Sequence, residues 1–375
     1  NYIEGLFLSS GVLKNPSYTM ERICETLMLL RTKYRFNGYI HVKAIPGAPD
    51  ELLSRAGYLA DRVSINLELP TAQSLSKLAP NKSFKTILEP MEKITGTIAA
   101  NRLALGKDAR MERSSINRYL TGSIFNQNGT HNGQAALSGT QRTALESGDK
   151  LSLPAVSKDM CVKRPFAPAG QSTQMIIGAT PETDLTLIRT TQHLYKNYDL
   201  KRVFYSAYIP LNEDSALPQL DADVPLLREH RLYQADWLLR FYGFQADELL
   251  SESRPNFNEQ LDPKCDWAIR HLGQFPVEVQ NASYDMLLRI PGIGPKSARR
   301  IVETRRYAKL DFDILKKIGV VLKRAHYFIT CNGRMMYRIP IEESYITSCL
   351  TDDNHKENWE ITHQNEKYHQ LSLFE

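Results

Sequence analysis

The stretches Tyr39-Ile40-His41-Val42-Lys43-Ala44 and Arg62-Val63-Ser64-Ile65-Asn66-Leu67-Glu68 decide the fold. Both alternate apolar and polar residues with the period of a β-strand, so Ile40, Val42 and Ala44 share one face and Tyr39, His41 and Lys43 the other. In the second stretch Val63, Ile65 and Leu67 oppose Ser64, Asn66 and Glu68. Strands buried on both faces of a parallel sheet read as unbroken apolar runs. These do not, so one face packs under helices and the other presents His41, Lys43, Asn66 and Glu68. Working outward, residues 3–8 are expected as a strand. Residues 18–34 are expected as a helix with Thr19 as N-cap, and 49–56 as a helix closed by Gly57. A short helix carries 75–78 after Thr71, and 174–177, 184–195 and 202–208 continue as strand, helix and strand. This alternation predicts an α/β fold, a (β/α) barrel whose polar face is the lumen. A half-exposed antiparallel sheet is the alternative, and the helices between the strands weigh against it.

The strand ends carry a second pattern. Ser9-Ser10-Gly11 follows the first strand, and Gly178-Ala179-Thr180-Pro181-Glu182-Thr183 follows the fourth. Each alone is a turn. Together, Ser-Ser-Gly, His-Val-Lys, Asn-Leu-Glu and Gln-Met-Ile-Ile-Gly-Ala-Thr-Pro-Glu-Thr-Asp, in this order, resemble the later strands of the radical SAM fold. The resemblance implies a partial radical SAM (β/α) barrel that binds S-adenosylmethionine. Ser9, Ser10 and Gly11 match its motif for the amino group. Asn66 and Glu68 match the polar residues that reach the ribose and carboxylate, and Ile176, Gly178 and Glu182 match the turn that holds the adenine. His41, Lys43 and Gln174 complete the implied cofactor-binding set. With its C-terminal half included, the chain is similar to a radical SAM subfamily of DNA modification or repair, whose members are associated with a uracil-DNA-glycosylase-like partner.

The same resemblance implies a 4Fe-4S cluster on a Cys-x3-Cys-x2-Cys motif. No three of the five cysteines (Cys24, Cys161, Cys265, Cys331, Cys349) have that spacing. The cluster ligands are therefore expected in an N-terminal segment ahead of Asn1, and no metal ligand in this chain. The chain as it stands is expected to start no radical chemistry. The odd, scattered cysteines also exclude a secreted disulfide scaffold and a local zinc site.

The basic residues are concentrated in one segment. Residues 289–338 hold thirteen Lys/Arg against three Asp/Glu, a net of +10, whereas the whole chain is +5, so the remainder is −5. Within this segment Leu287-Leu288-Arg289-Ile290-Pro291-Gly292-Ile293-Gly294-Pro295-Lys296-Ser297-Ala298 resembles the helix-hairpin-helix motif of DNA-repair proteins. The glycines let the backbone approach a phosphate, and the amides of the next helix point at that anion. The DNA-binding residues expected are Gly292, Ile293, Gly294, Lys296, Ser297, Arg299 and Arg300. Larger residues at Gly292 and Gly294 are expected to weaken DNA binding without unfolding the domain. Leu315-Lys316-Lys317-Ile318-Gly319-Val320, with Lys323, Arg324 and Ala325 after it, resembles a degenerate second hairpin. A rival reading is a helix-hairpin-helix DNA glycosylase with Asp311 or Asp313 as catalytic acid, the alternative for these being helix caps. A non-catalytic DNA-binding adaptor is the third.

The chain of 375 residues has an ordinary globular composition, 42% hydrophobic and 24% charged. No apolar run is long enough to span a bilayer, and a cytoplasmic protein is expected. Ser, Thr, Asn, Gln and Gly dominate 121–150, so 101–165 reads as a disordered insertion. The expected organisation is a barrel domain over 1–220, a helical domain over 221–350 with its hairpin motif at 284–306, and a flexible tail over 351–375. Residues 227–243 are expected as a helix with Trp237 and Leu238 on its apolar side. From 262 onward no strands are expected. In the tail, Gln370-Leu371-Ser372-Leu373-Phe374 resembles the pentapeptide by which bacterial repair proteins bind the DNA sliding clamp. Gln370, Leu371, Leu373 and Phe374 would fill that pocket.

Overall fold

A computed structural model describes residues 3–111, 124, 152–154, 164–211 and 213–351. The chain forms two compact units, Asn1–Phe257 and Asn258–Glu375. In the first, strands β1 (Gly5–Leu8), β2 (Tyr39–Lys43), β3 (Arg62–Ser64), β4 (Gln171–Ile177) and β5 (Arg202–Ala207) pair in parallel, in chain order. Every crossover therefore steps the same way. Right-handed crossovers that never reverse direction leave all the intervening helices on one face. The sheet is a curled half-barrel. Ile40, Val42, Val63 and Val203 are fully buried on the covered side. The polar register positions turn the other way, as the alternation predicts.

Local chemistry sets the helix ends, and several differ from expectation. Helix α1 (Pro16–Thr32) is capped by Asn15, whose side chain accepts from the Tyr18 amide, with Pro16 in its first turn. Thr19 is not the cap: its hydroxyl turns back onto the carbonyls of Leu13 and Asn15. Gly57 does not close α2 (Asp50–Leu59) but lies inside it, buried, where a Cβ would overlap the Phe166 ring. Strand β3 stops at Ser64 rather than running to 67. Beyond it the Thr173 hydroxyl replaces the ladder, accepting from Leu67 N at 2.9 Å and donating to Ile65 O at 2.8 Å. Pairing resumes at Glu68, at φ 66°, bridged to Met175. Helix α3 (Ala72–Leu78) follows Thr71 as expected but starts three residues earlier than 75, with Thr71 as its N-cap.

Helix α4 (Phe84–Ala104) starts at a capping box of Ser83 and Thr86 and was not anticipated. It carries the ordered chain past the expected start of the insertion. Most of 101–165 lies outside the described residues, but Met111, Ile124 and Leu153 are buried, and Leu153 N donates to Thr97 Oγ1 at 2.8 Å. Helices α5 (Asp184–Tyr198), α6 (Leu226–Phe241) and α7 (Ala246–Leu249) complete the first unit. The domain boundary expected at 220 is corrected by α6. The Tyr233 hydroxyl both accepts from and donates to the β5 backbone at Tyr205, and this ties α6 to the sheet. Trp237 is also corrected: it is 51% exposed, while Leu238 is buried.

The second unit contains α8 (Pro263–Arg270), α9 (Tyr284–Arg289), α10 (Pro295–Thr304), α11 (Phe312–Lys317), α12 (Leu322–Ala325) and α13 (Glu343–Thr351). Two short strands, β6 (Val277–Glu278) and β7 (Ile329–Thr330), pair in parallel, against the expectation of none. The Glu278 carboxylate clamps this pair by accepting from Gln280 N, Thr330 Oγ1 and Gly333 N. Leu287, Leu288, Ile290, Ala298, Ile301, Leu315, Ala325 and Phe328 are fully buried around the hairpins. Each such Leu or Ile contributes about 1.5–3 kcal/mol of burial energy. The expected tail and its Gln370–Phe374 stretch lie outside the described residues.

Candidate nucleic-acid interface and polar sheet face

Helix α9 starts at the Ser283 cap and ends where the chain turns at Ile290. Gly292 then takes φ 82°, a left-handed conformation that favours glycine. A Cβ there would lie 2.5 Å from Val321 O, so the site demands glycine twice over. Gly294 is the N-cap of α10 and offers no side chain to its first amides. Those of Lys296 and Ser297 lie in the first turn, where a helix has no internal acceptor for them. An anion at this point meets unused donors and the positive end of the helix dipole. Lys296, Arg299 and Arg300 are exposed beside it.

The expected DNA-binding set divides in two. Gly294, Lys296, Arg299 and Arg300 are open to a ligand, although one Arg300 nitrogen also donates to Ile318 O at 3.0 Å. Ile293 is 1% exposed and Ser297 6%, and the Ser297 hydroxyl donates to Gly319 O at 2.7 Å. These two residues and Gly292 build the hairpin rather than face a ligand. The second hairpin is formed by α11 and α12, with Gly319 at φ 93°. The two hairpins interlock through Val321 N donating to Gly292 O at 2.9 Å. Asp311 caps α11, accepting from Ile314 N at 2.7 Å, and Asp313 sits in the first turn of that helix. The capping alternative therefore accounts for Asp311.

Lys264 was not anticipated. It sits in the first turn of α8, 7% exposed, and its ammonium donates to Ile293 O at 2.6 Å. Burial brings its pKa down to about 7. Nothing in the sequence marks it, because its partner is a backbone carbonyl.

In the first unit, register brings several expected residues to the open sheet face. His41 pairs with Phe7 and Arg62 across neighbouring strands, Lys43 with Ser64, and Ser64 with Ser172. The Asn66 amide donates to Gln174 Oε1 at 3.2 Å. Ile176 lies opposite Ser206, two register positions beyond the Gln174–Phe204 pair. Glu68 holds Lys43 at 3.4 Å and also Lys82 at 3.2 Å, which the sequence did not reveal. Burial, helped by the nearby Arg62, lowers the His41 pKa to about 4, so the imidazole is neutral. His41 Nε2, Arg62 Nε and Ser172 Oγ are buried with no protein partner. Buried polar atoms normally find partners, so this face is built to meet water or a polar ligand.

The remaining expected residues follow the ends of β1 and β4. Ser9, Ser10 and Gly11 follow β1 near solvent, and a Cβ on Gly11 would meet open space. Gly178 takes φ 87°, with Pro225 crowding the place of a Cβ. Glu182 sits at the start of α3, accepting from Thr71 Oγ1 at 2.9 Å. Burial pushes its pKa up, but hydrogen bonds from Ser74, Thr180, its own amide and Thr71 outweigh this and hold it below the usual value.

The helix-hairpin-helix motif family matches residues 277–304, which span β6, α9, the first hairpin and α10. No curated protein matches the chain, and no solved structure does. The second unit thus carries a recognised DNA-binding motif. Among the described residues no helix is long and apolar enough to cross a membrane, and no cluster of three His, Cys, Asp or Glu could hold a metal ion.

Proposed function

We propose that the chain binds DNA by holding a backbone phosphate at the first hairpin. The observation that carries this is the uncapped start of α10 at Gly294, flanked by exposed Lys296 and Arg299. Such contacts position a protein without reading sequence. The test is fluorescence anisotropy of the whole chain on labelled duplex DNA over a series of salt concentrations. Lys296→Ala with Arg299→Ala should weaken binding uniformly across sequences and lower the salt slope by about 2. Unchanged affinity and slope would remove the hairpin from the interface.

The finer reading is a radical SAM enzyme of DNA modification or repair, with S-adenosylmethionine on the open sheet face. Its support is the set of unsatisfied buried atoms, His41 Nε2 and Ser172 Oγ, beside Lys43, Asn66 and Glu68. A polar cofactor with an ammonium, a carboxylate and a ribose suits such a face. The cysteines of this chain do not fit a 4Fe-4S cluster: they lack the spacing, and Cys24, Cys265 and Cys331 are buried. Calorimetric titration with S-adenosylmethionine tests the reading. Asn66→Ala should weaken binding, and no heat with the unaltered chain would refute it. A uracil-DNA-glycosylase-like protein and a sliding clamp at Gln370–Phe374 are the proposed partners. A peptide of the last residues titrated against a clamp checks the second. Work on chromosomal DNA goes with a cytoplasmic location.

A further inference from the structure

Tyr307 is the most exposed large hydrophobic side chain among the described residues, at 90%. A single exposed aromatic needs no special explanation, so its surroundings decide the matter. First, the turn that carries it is fixed at both ends. Tyr307 N and Ala308 N donate to Thr304 O at 3.0 and 3.1 Å. On one side the Arg305 guanidinium reaches inward to Val279 O at 3.2 Å and Ala282 O at 2.6 Å. On the other, Leu310 is 1% exposed and its amide donates to Gln280 Oε1 at 3.1 Å. The ring is thus held out from the surface by a braced turn.

Second, Tyr307 ends a basic stripe that starts at the hairpin. Lys296, Arg299, Arg300, Arg306, Tyr307 and Lys309 are all exposed. At 3.6 residues per turn, steps of three, four and seven residues return to one side of a helix, so 296, 299, 300 and 303 share a face of α10, and Arg306 and Tyr307 follow in the turn after its end at Thr304. Glu303 interrupts the stripe and leans toward Arg299, at 4.0 Å. From Lys296 to Thr304, where the helix ends, the rise is about 12 Å, or about three to four nucleotide steps of 3.4 Å, and Tyr307 follows in the next turn. A polyanion running along this face from the hairpin phosphate arrives at an aromatic ring.

We propose that Tyr307 is a base-stacking residue, and that the second unit prefers DNA in which the duplex is interrupted near the hairpin-held phosphate. A paired base cannot offer its face, because its neighbours cover it. An unpaired base can, and stacking on an aromatic tolerates any base. This rests on the DNA-binding reading above and adds the class of DNA to it.

The experiment is anisotropy of the whole chain on two probes, a fully paired duplex and the same duplex with a short single-stranded gap. The unaltered chain should bind the gapped probe about tenfold more tightly, the effect of one stacked base. Tyr307→Ala should abolish the preference and leave paired-duplex affinity unchanged. Tyr307→Phe should keep it, since the ring does the stacking. At 90% exposure neither substitution threatens the fold, and a thermal melt checks this. Equal binding of both probes by the unaltered chain overturns the proposal. So does a preference that survives Tyr307→Ala, or an equal loss on both probes. Failure of Lys296→Ala with Arg299→Ala to weaken paired-duplex binding would instead sink the DNA-binding reading, so the two failures are distinct.

Discussion

Gly292→Ala should cost stability, and the size follows from the geometry. Gly292 has φ 82°, and an alanine held left-handed costs about 1–2 kcal/mol. Its Cβ would then lie 2.5 Å from Val321 O, 3.1 Å from Ala325 N and 3.3 Å from Ala325 Cβ. The two nearest are backbone atoms and cannot rotate aside, so the second hairpin must move. That strains the Val321 N to Gly292 O bond, worth about 1 kcal/mol. The sum is about 3 kcal/mol. Hydrogen exchange of the intact chain, followed on peptides covering 284–325, reads this directly. Opening should become about a hundredfold more frequent, at a tenfold per 1.4 kcal/mol. Gly294→Ala is the control. Gly294 has φ −97°, so alanine fits the backbone, and the cap change costs less than about 1 kcal/mol. Exchange in the Gly292→Ala chain no faster than in the Gly294→Ala chain would refute the reasoning. The expectation that a larger residue at Gly292 leaves the hairpin undisturbed is therefore corrected, because its Cβ would meet backbone atoms.

Two further outcomes follow from buried groups. Lys264 has its pKa lowered from 10.5 to about 7, so its contribution is complete above pH 10.5 and is lost as the pH falls toward 7. Lys264→Met should therefore gain on the unaltered chain in denaturant midpoint between pH 9.5 and pH 7, and a constant difference would contradict this. Gly57→Ala should destabilise the first unit by about 2–3 kcal/mol, because the new methyl overlaps the Phe166 ring, and Phe166→Leu in the same chain should recover part of the loss, read by thermal unfolding.

The period of Tyr39-Ile40-His41-Val42-Lys43 was enough to separate the two faces of the sheet, because a parallel half-barrel keeps helices on one side only. The same period put Asn66 on the polar face, and its 3.2 Å bond to Gln174 Oε1 there is a pairing the sequence did not reveal. Periodicity could not place Lys82, which meets Glu68 from a loop after α3, or Ser172, whose strand is hydrophilic on both sides near its start. It also missed α4, where Thr86, Pro90, Thr95, Gly96 and Thr97 mask the helical spacing, and Pro90 lies inside the helix, where it removes one i to i−4 hydrogen bond. Strand β6 is two residues long, too short for any alternation to register. In the hairpin the glycine spacing was legible, because backbone conformation restricts residue choice there. The division between building and binding residues was not, because it depends on the second hairpin, which lies later in the chain.

That division bears on how the interface works. A phosphate contact made by backbone amides is only as well placed as the turn that carries them. Here the turn is held by Gly292 against Val321, by Ser297 on Gly319 and by Lys264 on Ile293, at 2.9, 2.7 and 2.6 Å. None of these three groups needs to touch DNA. The second hairpin can then be degenerate in sequence and still be required, since its carbonyls and its Val321 amide are what the first hairpin leans on. Lys296 and Arg299 add charge from outside this frame and tie up none of it. Loss of a framing bond should therefore raise the exchange rate of the turn and weaken phosphate binding together. Loss of an outer charge should leave exchange unchanged and appear only in affinity and its salt dependence.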